Sequence, residues 1–265
     1  MNPAFYDLKR SFLRLSVFLF LVIFLLSGLG IAYELHHIFS SMQPSSIPSN
    51  IALQELLSSI SLFAVFFPVL FLYLSYEIFS KPRSVGALEY ILSRPITRGE
   101  LYFNRYIGGI LTIFISTSLF VLSIGVGLYL LLHLTYGLSV YLLIIGSIAI
   151  SLVSLYSLLF FIISYVKEHG LFLGIGIALY LLFEIFWTLI LLAIGSVVHN
   201  PTLIQYINLL NPLNSGSFLL QKLTTDLNTN TVIKPLPLPY YIIAALLWIS
   251  IPLVLGYLKF RKVDL

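Results

Sequence analysis

No cysteine occurs anywhere in these 265 residues, and only 9% of them carry charge. The first absence excludes disulfides, thiol catalysis and cysteine-ligated metal. The second excludes an ordinary soluble domain, in which about a quarter of the residues are charged. Signatures of chemistry are missing too. There is no G-x-x-x-x-G-K-[ST] phosphate loop, no H-E-x-x-H pair and no G-x-S-x-G nucleophile elbow. The chain is therefore read as non-catalytic, and as unable to hydrolyse ATP itself. No polar block is long enough for a second folded unit, so residues 1–265 form one domain.

What is present is apolar. Hydrophobic residues make up 59% of the chain, and the mean hydropathy is +1.03. A helix needs about 20 apolar residues to cross the hydrocarbon of a bilayer. Six runs qualify, at approximately 15–34, 57–79, 104–133, 138–166, 171–198 and 240–258. They lack the alternation of barrel strands, so the expected fold is an all-α integral membrane domain with six transmembrane helices. Gly30-Ile31-Ala32 has the small-x-small spacing of a signal-peptide cleavage site. The apolar run before it is longer than a signal peptide needs, so a retained helix is expected.

The 14 lysines and arginines orient the six spans. Lys9, Arg10 and Arg14 precede the first. Lys81, Arg83, Arg94, Arg98 and Arg105 follow the second, Lys167 follows the fourth, and Lys259, Arg261 and Lys262 follow the sixth. Only Lys222 and Lys234 fall on the opposite side. This asymmetry places both termini in the cytoplasm of a multi-pass plasma-membrane protein. It also accounts for the net charge of +4 without a basic patch, so nucleic acid is not an expected partner.

One stretch stands apart, "GALEYILSRPITRGELYFNRY" at 86–106. Pro82 ends the second span, and Ser84 can cap a short helix from Val85 to Ser93. Val85, Leu88, Ile91 and Leu92 share one face of that helix, while Glu89 and Arg94 project elsewhere. Pro95 forces Arg94 toward an extended conformation and stops the helix. Thr97-Arg98-Gly99-Glu100 then has the form of a capping box, which starts the third long helix. Two readings remain open on these residues alone: an interfacial helix resting on headgroups, or a docking element for a cytoplasmic partner. The carboxylates of Glu89 and Glu100 beside the arginines favour docking, because anionic lipid would repel them.

Gly86, Leu88, Glu89, Leu92, Ser93, Pro95, Thr97, Arg98, Glu100, Arg105, Tyr106 and Gly108 resemble a pattern of ABC-2 type transporter permeases. In that family the pattern forms the cytoplasmic coupling segment. Asn211-Pro212-Leu213 is similar to the Asn-Pro that precedes the last helix in such permeases. The motif covers about 25 residues, and the six-span topology extends the resemblance over the chain.

The resemblance implies a permease subunit of an ATP-driven transporter, an exporter, paired with a second copy or a paralogous permease among membrane lipids. A separate cytoplasmic ATP-binding subunit would hold ATP and Mg, and this chain would bind no cofactor. Residues 84–93 would be the coupling helix within a cytoplasmic loop at 80–105, with Val85, Leu88, Glu89, Leu92, Arg94 and Arg98 touching the ATPase. Residues 1–14 would be an amphipathic lead-in helix, or simply a charged tail obeying the positive-inside rule. An ATP-independent transporter and a membrane anchor of a larger complex are the alternatives.

Residues 200–239 form the extracytoplasmic loop, too apolar and too long to be structureless. Two short helices broken at Asn211-Pro212 are expected there, re-entering the outer leaflet by the resemblance. Glu184 sits mid-span in "LYLLFEIFWTL", where a carboxyl is costly; it is a candidate pathway residue or a protonated partner of a neighbouring helix. Glu77 is expected to pair near Lys81 or Arg83. His36, His37, His133 and His199 all map near the outer face, without metal-ligand spacing. Gly170 and Gly174 open the fifth span as a small-x-x-x-small pair suited to close helix contact.

Overall fold

The computed structural model describes residues 15–40, 48–80, 97–198, 200–220, 223 and 236–262. Among them every regular element is helical, and six helices are long and apolar enough to cross a membrane. The first span is α1 (Leu15–Ile38). The second is α2 (Ser49–Ala64) and α3 (Phe67–Ser75), followed by a π turn at Tyr76–Ser80. The third is α4 (Arg98–Leu132) and the fourth α5 (Leu138–Tyr165). The fifth comprises α6 (His169–Tyr180), a π turn at Leu181–Phe186 and α7 (Trp187–Val198). A short helix, α8 (Pro201–Asn208), precedes the sixth span, α9 (Leu238–Lys262). The expected lead-in helix at 1–14 and coupling helix at 84–93 lie outside the described residues, as do Lys222, Lys234 and His199.

Two of the six starts differ from the hydropathy reading by more than a turn. The second span starts at Ser49 rather than near 57. Its first three turns carry Gln54, Glu55 and Ser58, which interrupt an apolar run. Ala52, Leu53, Leu56, Leu57 and Ile60 are buried at helical spacing, so periodicity, not mean hydropathy, marks this start. Tyr136 donates its hydroxyl to the Ser49 carbonyl at 3.3 Å, and burial pushes that phenol up to about 12, so it remains a donor. The third span starts at Arg98, where the capping box places it. The Glu100 N–H donates to Thr97 Oγ1 at 3.2 Å, and the Thr97 N–H to Glu100 Oε2 at 2.9 Å.

Membrane helices gain little from the hydrophobic effect once inserted, so close packing and polar contacts hold them together. The first and third spans run parallel and touch through small residues. A Cβ on Gly28 would overlap Ser123 and the Phe120 carbonyl, and one on Gly127 would overlap Ala32. Phe24 stacks on Phe67 beside this seam, and both meet the Phe120 ring edge-on, which brings in the second span. The third span also packs against the fourth, and the fourth packs along the sixth. The third span is thus central, with 56% of its most apolar window buried; in the fifth span that share is 0%.

Candidate functional site

The end of the bundle that carries Arg98, Lys259, Arg261 and Lys262 is built on tyrosines. Arg98 is half-buried on the first turn of α4, directly after the segment 81–96. One turn deeper, Tyr102 is fully buried. Its hydroxyl donates to the Leu253 carbonyl of α9 at 3.3 Å, and its ring meets Phe160, Tyr257 and Phe260. Tyr106 shares a 2.6 Å hydrogen bond with Ser157 Oγ of α5 and stacks on Tyr156. Tyr156 reaches back to the Arg105 carbonyl at 3.4 Å. The base of the third span is therefore clamped to the fourth and sixth.

Of the residues expected to touch an ATPase, only Arg98 lies within the described residues. Val85, Leu88, Glu89, Leu92 and Arg94 lie outside them, as do Lys81 and Arg83, the expected partners of Glu77. The Tyr73 hydroxyl donates to Glu77 Oε1 at 3.3 Å.

A second polar assembly lies half-way along the spans. The π turn Leu181–Phe186 carries Glu184. A π turn shifts the helix hydrogen bonds by one residue, a feature frequent at functional positions. Asn211, only 2% exposed, donates Nδ2–H to the Phe183 carbonyl in that turn at 2.7 Å. Its Oδ1 accepts from the Leu213 N–H at 2.9 Å, capping a 3-10 turn at Pro212–Asn214. Asn208 Oδ1 accepts from the Trp187 indole at 3.1 Å and from Asn214 Nδ2 at 2.6 Å. Trp248 of the sixth span donates its indole N–H to the Leu209 carbonyl at 3.1 Å. Both tryptophans of the chain therefore bond to this segment.

The same segment is fastened to the fourth span by serines. Ser147 donates to the Gly216 carbonyl at 2.8 Å, Gly216 N–H donates to Ser151 Oγ at 3.1 Å, and Ser154 shares a 2.8 Å bond with Ser215. A Cβ on Gly216 would overlap the Ser147 carbonyl, so only glycine allows this approach. Ser154 lies past the midpoint of α5, and Phe183 and Trp248 lie near the middle of their own spans. Sequence reading found the break at Asn211-Pro212 but missed its partners. The signal was available: Ser147, Ser151, Ser154 and Ser157 recur at helical spacing on one face.

Glu184 stands one turn from Tyr180, whose hydroxyl donates to the Val65 carbonyl at 3.1 Å. Val65 lies at the junction of α2 and α3, where Pro68 withholds an N–H from the helix ladder. Spans two and five are thus joined where each is irregular. A groove of about 400 Å³ opens beside the segment, between Leu209 and Leu210 and the apolar face of α9 around Ile243, Leu247 and Ile251. Among the described residues no group of three or more His, Asp or Glu side chains could hold a metal. His133 instead ends α4 in the left-handed conformation, its N–H bonded to the Leu128 and Tyr129 carbonyls. Gly170 and Gly174 have open space beside them within the chain.

No curated protein matches the chain. A family model described as ABC-2 family transporter protein matches residues 4–265, nearly the whole chain, which here carries six apolar spans: the chain belongs to the ABC-2 transporter family.

Proposed function

We propose that this chain is the permease subunit of an ATP-driven exporter in the plasma membrane, with both termini cytoplasmic. A separate ATP-binding subunit docks on the basic end, holds ATP and Mg, and pushes on a coupling helix at 84–93. Val85, Leu88, Glu89, Leu92, Arg94 and Arg98 form the contact. The observation that supports this best is the capped start of α4 immediately after that segment, with Tyr102 and Tyr106 clamping it to α9 and α5. A push at the surface has a rigid lever to act on.

A second copy or a paralogous permease covers the fifth span, whose most apolar window is unburied in the single chain and whose Gly170 and Gly174 have room beside them. Residues 201–220 re-enter the outer leaflet, as their partners near the middle of the fourth, fifth and sixth spans suggest. Glu184 faces the pathway or a neighbouring helix rather than lipid, where an ionised carboxylate would cost about 3 kcal/mol or more. The apolar groove beside α9 suits a cargo with an apolar body.

The test is to purify the chain from its native membrane in mild detergent and identify what accompanies it by mass spectrometry. A protein with a phosphate-binding loop is the expected companion. If none is recovered, even after gentle cross-linking, the ATP-driven reading falls, and a membrane-anchor role for the partners recovered replaces it. Replacing Leu88 and Glu89 together is expected to uncouple ATP hydrolysis from transport while the chain still inserts. Unaltered transport and ATPase stimulation in that variant would remove 84–93 from the contact.

A further inference from the structure

Glu184 is a carboxyl without a countercharge. No lysine or arginine occurs in 15–80, 106–166, 168–221 or 235–258, the stretches that form the membrane interior. No described residue hydrogen-bonds to the Glu184 carboxyl or forms an ion pair with it. A second copy of the chain would bring a second Glu184 and no cation. An ionised carboxylate at this depth is costly, and a neutral one still leaves its O–H without an acceptor. What neutralises it is therefore supplied from outside the chain.

The surroundings select the kind of cation. Glu184 is half-buried, and Tyr180 and Trp187 stand one turn before and one turn after it on the same span. The Phe183 ring lies 6.0 Å from the Trp187 ring and 6.2 Å from that of Trp248, so the carboxyl projects from an aromatic stretch of the bundle. A small inorganic cation needs several oxygen ligands, and among the described residues no group of three or more His, Asp or Glu side chains could hold one. One carboxylate among aromatic rings suits an organic cation instead, which exchanges its hydration for ring faces and apolar contact. Leu182, Ile185, Phe186 and Leu189 are exposed around Glu184, which leaves apolar surface for the body of such a molecule. Asn211, bonded to the Phe183 carbonyl, fixes the turn from which Glu184 projects.

We propose that Glu184 is the specificity-determining residue of a binding site for hydrophobic organic cations, molecules that carry a quaternary ammonium or phosphonium centre on an apolar body. The carboxylate attracts the charge, the neighbouring rings offer their faces to it, and the apolar surface of the fifth span takes the body. A neutral or anionic molecule of the same shape gains only the last of these. This deepens the transporter reading by naming the class of cargo; it rests on that reading for the movement of the cation, but not for its binding.

The site carries its own reporter. Trp187 and Trp248 are the only tryptophans of the chain, and both lie against Phe183, the residue before Glu184. The full chain is purified in neutral maltoside micelles and titrated with tetraphenylphosphonium while tryptophan fluorescence is followed, with equilibrium dialysis as a direct measure of binding. Tetraphenylborate, of the same shape and opposite charge, is the counter-probe. Glu184→Gln removes the charge, and Glu184→Asp retains it.

The expected result is saturable binding of tetraphenylphosphonium to the parent chain, weakened about tenfold or more in Glu184→Gln and largely kept in Glu184→Asp. Tetraphenylborate is expected to show only the unsaturable uptake of the micelle, equal in parent and variants. Equal affinity for the phosphonium in parent and Glu184→Gln would place the cation elsewhere and overturn the proposal, as would no saturable binding to the parent. Should Glu184→Gln fail to fold, the parent chain decides by itself: saturable binding of the borate as tight as that of the phosphonium rejects a charge-selective site. These measurements use the chain alone, so their failure leaves the ATP-driven reading standing, and recovery of no ATP-binding subunit overturns that reading without touching the cation site.

Discussion

The third and fifth spans are built from much the same kinds of residue, and folding treats them in opposite ways. Both are continuous apolar runs with no charge in their central turns except Glu184. The third becomes the axis of the bundle, while the most apolar window of the fifth has no buried residue. Apolarity therefore does not decide which span is central. The third span carries Gly108, Gly109, Thr112, Ser116, Thr117, Ser123 and Gly127 among its buried positions, so other helices approach it closely from two sides. A Cβ on Gly109 would overlap the Tyr156 ring, whereas one on Gly174 would meet nothing. In a membrane the small residues select the neighbours, because lipid and leucine are nearly equivalent solvents for an apolar side chain.

That contrast is broken most sharply by adding bulk. Gly127→Leu forces a large side chain against Ala32, where the first and third spans touch. Overpacking of this kind costs about 1–3 kcal/mol or more, and the expected outcome is a marked fall in the detergent melting temperature or loss of folded chain. Gly174→Leu, the same change in the fifth span, is expected to leave the melting temperature of the isolated chain within error. If both changes destabilise equally, the fifth span is packed within the chain after all. A loss of function in Gly174→Leu without loss of stability would sharpen the comparison, by showing that the fifth span packs against something outside the chain.

A smaller effect is expected from Glu184→Gln. The change keeps the size and polarity of the side chain but removes its ability to ionise. Folding should be unaltered by thermal melting, while transport by the complex in vesicles falls. A drop in melting temperature with normal transport would instead make Glu184 a structural partner of a neighbouring helix.

The smallest effects are expected along the polar ties. Hydrogen bonds between membrane helices contribute on average about 0.6 kcal/mol each. Ser154→Ala, which removes the bond to Ser215, and Tyr102→Phe, which removes the bond to Leu253, should each lower stability by about that much. Equilibrium unfolding in mixed micelles measures this. A loss several times larger in Ser154→Ala would show that the segment 208–216 is held mainly by this one contact rather than by the ladder.

Most of the architecture was legible in the chain, and for identifiable reasons. Length and hydropathy locate a span because a backbone in hydrocarbon must bond to itself over the full thickness of the bilayer. A capping box such as Thr97-Arg98-Gly99-Glu100 acts within four residues, so it is read locally and is found where expected. The break at Asn211-Pro212 is local for the same reason. The early start of the second span was hidden, because Gln54, Glu55 and Ser58 interrupt its hydropathy although they leave its buried face intact.

The sequence by itself determined that this is an all-helical membrane protein with six spans, where the third helix begins, and which end of the bundle is basic. These depend on composition and on contacts within a turn or two of the chain. Only the tertiary structure decided that the third span is central and the fifth peripheral. It also decided that Asn211 reaches Phe183, that Tyr180 reaches Val65, and that both tryptophans hold one segment. Such pairings join residues 21 to 115 positions apart. No local propensity encodes them, since they follow from which small residues allow which helices to meet.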